Sequence, residues 1–307
     1  RDLVRSRGLG DVYKRQGYMS SDIGGFAVDR EHPSDPELYI RWMQLGVFNP
    51  VMRTHAQYMP EPYHYPKEGK ILLDLVRMRY RWLPYNYTLA YENAAFGQPL
   101  ARPLNYYSEE AAAEDEYYWG SEVLVAPVMK AGAKSRKVLF PQAGATWIDW
   151  FTGRRYKGGS SADVPVTLAT FPLFVKGGAF IPQYDRELNN VSEYDPAYLT
   201  VKYFADTKPS EYVLFDDNRL SPTSLKDKKY MLTSFKADGK GTFSIATSGT
   251  YPGAPAVRHL TLQMTGLPRP AKITSDGATL PFTYDAGTRT VSLTLDLTSA
   301  PVTLTLK

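Results

Sequence analysis

Two short apolar stretches near the start of the chain each run into polar residues, and a helix-length interval separates them. The first stretch, at 17–23, overlaps the segment SSDIGGF at 20–26. The second stretch, at 47–52, is followed by Arg-Thr-His at 53–55. Strand, polar loop, helix, strand and polar loop is the order found in a (β/α)₈ barrel, whose sites lie at the C-terminal ends of its strands. The pattern therefore predicts part of such a barrel, with polar side chains collected at its strand ends.

The interval between these stretches carries the signals of an α-helix. Asp35 is a good N-cap, Pro36 suits the first helical position, and Glu37 favours the first turn. The helix is predicted to run to about Leu45 and to stop at Gly46. Its apolar side chains are predicted to share one face: Leu38, Trp42 and Leu45.

A second, longer helical stretch is predicted over 67–96, with a kink at Pro84 because proline lacks a backbone N–H donor. Beyond it the sequence changes to short β-type runs separated by turn signals. The clearest runs of a first β-sandwich, predicted over 99–190, are 123–128, 135–140, 146–150 and 173–182. A second β-rich unit is predicted over 191–307, where strict alternation indicates strands with one buried face: 260–264, 291–295 and 302–306.

The net charge of +4 comes mainly from residues 1–16, which hold five basic and two acidic side chains. The rest of the chain is nearly neutral, so nothing indicates a nucleic-acid partner. RDLVRSRGLGDVYKRQ at 1–16 resembles translated sequencing-adapter read-through from a bacterial metagenome and is expected to be foreign; the alternative is a genuine basic arm. No apolar run is long enough to span a bilayer.

The absence of cysteine excludes disulfides and thiolate chemistry, and the four histidines lack zinc spacing. The sequence leaves the compartment open between the periplasm and the cytoplasm of a bacterium. Asp216-Asp217-Asn218 could suggest calcium, but it lacks the glycine and the final glutamate of an EF-hand loop, so a β-turn is the better interpretation.

Several ordered motifs support a family resemblance: SDIGGF at 21–26, ELYIRW at 37–42, GVFNP at 46–50, RTH at 53–55, EP at 61–62, RY to PY across 79–85, PLARPL at 99–104, and the runs at 120–128, 147–153 and 172–178. In this order they resemble glycoside hydrolase family 31, which contains α-glucosidases and α-xylosidases. FDDN at 215–218 is similar to the acidic turn of that family's distal β-sandwich.

The resemblance implies a chain order of N-terminal β-sandwich, catalytic (β/α)₈ TIM barrel, and proximal and distal C-terminal β-sandwiches. Residues 17–98 would then form the last two βα units of the barrel, 99–190 the proximal antiparallel β-sandwich and 191–307 the distal one. The upstream barrel half and the N-terminal β-sandwich would belong to the intact protein and would be partners of the residues in this chain.

The resemblance further implies a retaining α-glycosidase that hydrolyses terminal α-linked glucose or xylose from oligosaccharides, with no metal or organic cofactor. Its aspartate nucleophile and aspartate acid/base would lie upstream of Gly17, so this chain is expected to contain neither and to be inactive alone. An α-glucosyltransferase of the same family would use the same residues here. An alternative from another class is a non-catalytic carbohydrate-binding or scaffolding β-sandwich protein, although two βα units cannot close a barrel.

Four residues are expected to bind the sugar in the subsite where cleavage occurs. By resemblance Asp22 fixes sugar hydroxyls, with turn capping as the alternative, and His55 hydrogen-bonds hydroxyls in the same subsite, with a structural role as the alternative. Arg53 is expected to pair with Asp22 across adjacent strand ends and to orient its carboxylate. Phe26 is expected to form an apolar wall beside the sugar or to pack in the core.

Four further side chains lie in the following loop. Glu61 invites a catalytic interpretation, but a solvated or loop-pinning carboxylate fits the family pattern better. The tyrosines of this loop could line outer subsites or pack on one another: Tyr58, Tyr63 and Tyr65.

Overall fold

The computed structural model describes residues 18–59, 61–107 and 113–307, so the predicted foreign segment at 1–16 lies outside the described residues. The chain divides into two compact units. The first holds residues up to Arg79 together with Glu92–Val175, and the second holds Tyr80–Tyr91 together with Lys176–Lys307. The predicted limits 17–98, 99–190 and 191–307 stay predictions. None of the described helices combines the length and the hydropathy that a bilayer crossing requires.

Helix α1, Pro36–Val47, starts where the sequence predicts. The Asp35 carboxylate accepts a hydrogen bond from the Leu38 N–H at 2.9 Å, and this satisfies one of the free donors of the first turn. The predicted stop at Gly46 is wrong, because the helix continues to Val47. Gly46 is needed for a different reason: a Cβ there would lie 2.6 Å from Cδ1 of Ile23.

The face of α1 that holds Leu38, Trp42 and Leu45 is not the most buried face of the helix. Leu38 is 50% exposed, while the buried side chains lie on another face: Tyr39, Ile40, Met43 and Val47. Within the first unit, α1 is fixed by Arg41 and Gln44, which donate to the carbonyls of Thr167 at 2.7 Å and Leu168 at 2.8 Å. These contacts decide which side of the helix faces inward.

The two predicted barrel strands meet in one parallel bridge, between Ile23 and Thr54. The N–H of Ile23 donates to the Arg53 carbonyl at 3.2 Å, and the N–H of Val51 donates to the Met19 carbonyl at 3.0 Å. The second stretch therefore lies later than the predicted 47–52, because α1 takes up the start of that range. The described residues show the (β/α)₈ arrangement only in this part, as two parallel segments joined by a helix.

The predicted long helix is two helices, α2 at Gly69–Arg81 and α3 at Leu83–Phe96. Trp82 separates them, and Pro84 is the second residue of α3. The chain therefore breaks just before Pro84 instead of kinking at it. Pro84 lies in the first turn of the new helix, where a residue without an N–H donor is tolerated.

The β-strands of the first unit form a six-stranded sheet in the order β1-β2-β3-β8-β5-β6 and a separate β4-β7 pair. Both sheets contribute to one core, in which Tyr118, Leu124 and Phe174 from the large sheet meet Val138 and Phe140 from β4. Two sheets around one core form a β-sandwich. The strands are β1 Ala101–Pro103, β2 Tyr117–Trp119, β3 Val123–Val125, β4 Ser135–Phe140, β5 Thr146–Asp149, β6 Arg155–Lys157, β7 Ser160–Pro165 and β8 Leu173–Lys176.

The strands of the second unit form a five-stranded sheet, β17-β18-β14-β10-β9, and a six-stranded sheet, β11-β12-β13-β19-β15-β16. Aromatic rings join the two sheets, because Phe180 packs 5.9 Å from Phe235 and Tyr203 packs 5.0 Å from Phe243. The strands are β9 Phe180–Gln183, β10 Tyr198–Phe204, β11 Ser210–Asp216, β12 Tyr230–Ala237, β13 Thr242–Thr250, β14 Arg258–Thr265, β15 Ile273–Ser275, β16 Ala278–Leu280, β17 Thr283–Asp285, β18 Thr290–Leu297 and β19 Val302–Leu306.

Two features of these sheets differ from the sequence-based prediction. The single run predicted at 173–182 is two strands of different sheets, β8 and β9, because the chain turns at Gly178 with φ of +89°. The second sandwich is not wholly antiparallel, since β10 and β14 pair in parallel over their lengths. Parallel pairing needs a crossover, and β11, β12 and β13 supply it from the other sheet. The predicted alternation is confirmed in β14 and β18, whereas in β19 Leu304 is buried and both residues after it are half-buried.

Candidate functional site

The turn after the first bridged segment is built on glycine. The N–H of Gly25 donates to the Asp22 carbonyl at 2.8 Å, and Gly24 has φ of +94°. A Cβ on Gly24 would lie 2.8 Å from Cδ2 of Tyr39, whose ring stacks on Tyr65 at 4.3 Å. Both the backbone conformation and the close approach of Tyr39 therefore require glycine.

Asp22 and Arg53 meet across the bridged segments. Nη2 of Arg53 donates to Oδ1 of Asp22, and the two residues flank the bridge between Ile23 and Thr54. The Asp22 side chain is 29% exposed and that of Arg53 is 51% exposed. The predicted pairing is confirmed, and it leaves one carboxylate oxygen of Asp22 free of Arg53.

Phe26 and His55 form a second pair beside the first. Their rings stack with centroids 5.3 Å apart, and the N–H of Gln57 donates to the Phe26 carbonyl at 2.9 Å. Phe26 is 47% exposed in this chain, which favours the apolar-wall role over core packing. These contacts tie the loop after the second bridged segment to the loop after the first. In each loop a ring follows the charged residue closely in sequence, since Phe26 follows Asp22 and His55 follows Arg53.

Arg79 fixes the backbone that leads to Arg53 and His55. The sequence motifs assigned Arg79 no role at the site. Its guanidinium donates to the carbonyls of Val47 and Asn49 at 2.7 Å each and of Pro50 at 2.8 Å. Burial lowers the pKa of Arg79 to about 10, which still leaves it charged at neutral pH. Its position in the RY motif was the only sequence signal.

Ser21 and Trp42 supply a second support for the site. Nε1 of Trp42 donates to Oγ of Ser21 at 2.8 Å, so helix α1 holds the residue immediately before Asp22. Trp42 was expected as a packing residue, and its indole N–H gives it a directional contact as well.

The Glu61 side chain lies 3.3 Å from Nε2 of His64, within one turn of the chain. That contact fits a loop-pinning role. Tyr65 is buried against Tyr39, whereas Tyr63 is 73% exposed with its ring 4.5 Å from His64. Tyr65 is thus a packing residue, Tyr58 is half-buried, and Tyr63 is the most exposed of the three loop tyrosines.

The acidic run at 216–218 is a hydrogen-bonded turn. The Asn218 side chain accepts from the N–H groups of Leu220 at 3.1 Å and Ser221 at 3.0 Å, and Asp217 accepts from the Ser224 hydroxyl at 2.6 Å. Among the residues that the structure describes, no group of three histidine, aspartate or glutamate side chains is placed to hold a metal ion.

The arrangement around Asp22 suits a hydroxylated ligand. A carboxylate oriented by a guanidinium accepts hydrogen bonds from hydroxyl groups. An exposed aromatic surface packs against the apolar faces of a ring. The site can therefore bind and orient a polyhydroxylated ring.

Two family models match the chain in succession. Glycosyl hydrolases family 31 TIM-barrel domain matches residues 14–89, and Glycosyl hydrolase family 31 C-terminal domain matches residues 97–181. Together they cover more than half of the chain and include all four predicted sugar-binding residues.

Two curated relatives are similar to about two thirds of the chain or more. An α-xylosidase of Saccharolobus solfataricus is 33% identical over 227 residues, which is 70% of this chain and 30% of the relative. Alpha-glucosidase 2 of Bacillus thermoamyloliquefaciens is 35% identical over 210 residues, which is 66% of this chain and 26% of the relative. The chain thus spans less than a third of the length of either relative.

A solved structure shows the same fold. The GH31 dextranase of Flavobacterium johnsoniae, solved in complex with isomaltotriose, superposes with a TM-score of 0.85 at 23% identity. The superposition covers 95% of this chain and 40% of the dextranase.

Proposed function

Because this chain belongs to glycoside hydrolase family 31, we propose that it is the C-terminal part of a retaining α-glycosidase that removes terminal α-linked glucose or xylose from oligosaccharides. The observation that carries the proposal is the site itself. Asp22 with Arg53, and Phe26 with His55, lie at the ends of the two parallel segments, inside the match to the barrel model. Strand ends are where barrel enzymes bind substrate.

In this proposal each of the four residues has a separate task. Asp22 accepts hydrogen bonds from sugar hydroxyls, and Arg53 fixes the direction of its carboxylate. Phe26 packs against the imidazole of His55, which keeps that ring in place to hydrogen-bond a hydroxyl. These groups bind and orient the sugar ring, and Arg79 holds the backbone from which Arg53 and His55 follow.

The bond-breaking groups are proposed to lie outside this chain. Retaining hydrolysis needs two carboxyl groups roughly 5–5.5 Å apart, one to attack the anomeric carbon and one to protonate the leaving oxygen. The relatives are more than three times as long as the region they share with this chain, so both groups could lie outside that region. Groups that only bind the ring hold substrate and transition state more nearly alike and cannot replace a nucleophile.

The test compares this chain with a chain extended by the residues encoded upstream of Gly17 in the source DNA. Both are assayed with 4-nitrophenyl α-glucoside and 4-nitrophenyl α-xyloside, and NMR follows the configuration of the released sugar. We expect no hydrolysis by the chain alone and hydrolysis with retention by the extended chain.

Other outcomes separate the alternatives. Hydrolysis by the chain alone would contradict the proposed placement of the catalytic carboxyl groups. Sugar binding without turnover by the extended chain would favour a carbohydrate-binding or scaffolding protein. Glycosylated acceptor in place of free sugar would make the protein an α-glucosyltransferase.

A further inference from the structure

A cavity of about 220 Å³ lies in the second unit, and none of the four residues of the proposed sugar site lines it. It is bounded by the first turns of α3, by residues 191–199 and by the end of β11. Its walls are mainly aliphatic and aromatic: Leu83, Tyr87, Val191, Tyr194, Leu199 and Phe215.

The charged groups at its inner end are already paired with one another. Oδ2 of Asp216 accepts hydrogen bonds from Nη2 of Arg258 and from the Tyr251 hydroxyl, each at 2.6 Å. Oδ1 of Asp216 accepts from Nη1 of Arg219 at 3.2 Å. Both carboxylate oxygens are therefore occupied, and Asp216 and Arg258 are nearly fully buried.

Two tyrosines line the wall of the cavity, and each already contacts a charged side chain. The Tyr87 hydroxyl donates to Oδ1 of Asp217 at 2.6 Å. The guanidinium of Arg219 lies 4.7 Å from the centre of the Tyr194 ring. These contacts leave the cavity with aromatic and aliphatic surface and few free acceptors.

A cavity of this kind selects its ligand by chemistry. A water molecule needs two to four polar partners, and apolar cavities of roughly 150 Å³ take up benzene in preference to water. A sugar would have to bury several hydroxyl groups without partners, which costs free energy for each of them. A charged ligand would meet an Asp216 that already has three donors.

We propose that this cavity is a binding site for a neutral aromatic molecule of one or two rings, separate from the carbohydrate site. The size of the cavity admits a fused bicyclic ring, and Tyr87, Tyr194 and Phe215 give its wall aromatic surface for ring packing. The proposal does not depend on the glycosidase function, because no residue is shared with the proposed sugar site.

The probe is indole, titrated into the 307-residue chain and followed by saturation-transfer NMR, with methyl α-glucoside as the carbohydrate comparison. Val191 stands at the rim and is 63% exposed, so Val191→Trp can fill the cavity with little strain on the core. Val213→Trp is the matched control, since Val213 is a 36% exposed residue of β11 that does not line the cavity.

We expect saturable indole binding, no competition by methyl α-glucoside, and a loss of affinity of about tenfold or more in Val191→Trp, with Val213→Trp close to the parent. Absence of saturable indole binding, displacement of indole by the glucoside, or equal losses in both variants would overturn the proposal. If melting shows that Val191→Trp is poorly folded, Val191→Phe replaces it, and unchanged indole affinity in a folded Val191→Phe counts against the site.

Discussion

Gly46 touches Ile23 so closely that any side chain on Gly46 would collide with it: a Cβ would lie 2.6 Å from the Ile23 Cδ1 methyl group. Ile23 is fully buried and forms the bridge to Thr54. The contact therefore sets the spacing between helix α1 and the segment that carries Asp22.

We expect Gly46→Ala to destabilise the protein, although alanine is the better helix former. The gain in helix propensity is about 1 kcal/mol, whereas overpacking a buried contact costs roughly 1–3 kcal/mol. The net loss in the free energy of unfolding is expected to be about 1 kcal/mol and is measured by chemical denaturation.

Ile23→Val provides the internal control, because it removes the methyl group that Gly46→Ala would strike. Alone it should cost roughly 0.5–1.5 kcal/mol. The double variant should lose less free energy of unfolding than the two single variants lose together. If the two losses simply add, the contact with Ile23 does not govern the effect of Gly46→Ala.

In the extended, active protein, Asp22→Ala and His55→Ala are each expected to lower kcat/KM roughly 100-fold or more, because a site built to bind hydroxyl groups discriminates strongly through them. The melting temperature should hardly change, since a partly exposed ion pair contributes about 0–1 kcal/mol. Steady-state kinetics and thermal melting are measured side by side.

Asp29→Ala is the matched control for Asp22→Ala. Asp29 is a 60% exposed carboxylate in the same loop region and pairs with His32. Its loss should leave kcat/KM near the parent value. A large drop in melting temperature for Asp22→Ala, with activity falling only in proportion to folded protein, would assign Asp22 a structural role.

Arg79→Lys is expected to destabilise the protein by about 2–3 kcal/mol, because an ammonium group cannot reproduce the fork that reaches three carbonyls. The freed carbonyls of 47–50 precede Arg53 and His55, so kcat/KM of the extended protein should fall as well. Chemical denaturation and kinetics check the two effects.

The same substitution at Arg81, an exposed residue at the end of α2, supplies the comparison. Arg81→Lys should leave both stability and activity unchanged. If Arg79→Lys behaves in the same way, the three carbonyl contacts do not hold the loop.

Glu116 gives the first unit a pH-dependent stability. Its carboxylate is 5% exposed, and burial raises its pKa to about 7, although the N–H of Leu139 and the guanidinium of Arg136 act in the opposite direction. A carboxyl group whose pKa is raised by folding binds more protons in the folded state. Its contribution is therefore present below the unfolded pKa and is lost as the pH rises through about 7.

We accordingly expect Glu116→Gln to match the parent near pH 4.5 and to become more stable than the parent by up to roughly 3 kcal/mol by pH 8. Denaturation curves across this range measure the difference. Asp115→Asn, at a half-exposed neighbour that also pairs with Arg136, should show little of this trend. If the free energies of unfolding of the parent and of Glu116→Gln differ by the same amount at every pH, the expectation is contradicted.

The features that could be predicted are those specified by neighbouring residues. Asp35 and Pro36 fix the start of α1 because capping is local. Alternation marks β14 and β18 because each strand has one buried face. The Asp22–Arg53 contact was predictable because adjacent parallel strands end at the same edge.

The features that were missed depend on distant parts of the chain. The end of α1 and its buried face depend on Ile23 and on the carbonyls of Thr167 and Leu168. The role of Arg79 depends on a loop about thirty residues away, and helical periodicity cannot indicate which carbonyls an arginine will reach.

The parallel pairing of β10 with β14 has a consequence for how the protein must be made. Tyr198 pairs opposite His259, about sixty positions later, with three strands of the other sheet between them. During synthesis β10 has no partner on that side until β14 has left the ribosome, so its edge stays open to other chains. Closing such a long loop is also slow. Correct folding of the second unit should therefore be the step in making this chain that depends most on chaperones and on the speed of translation.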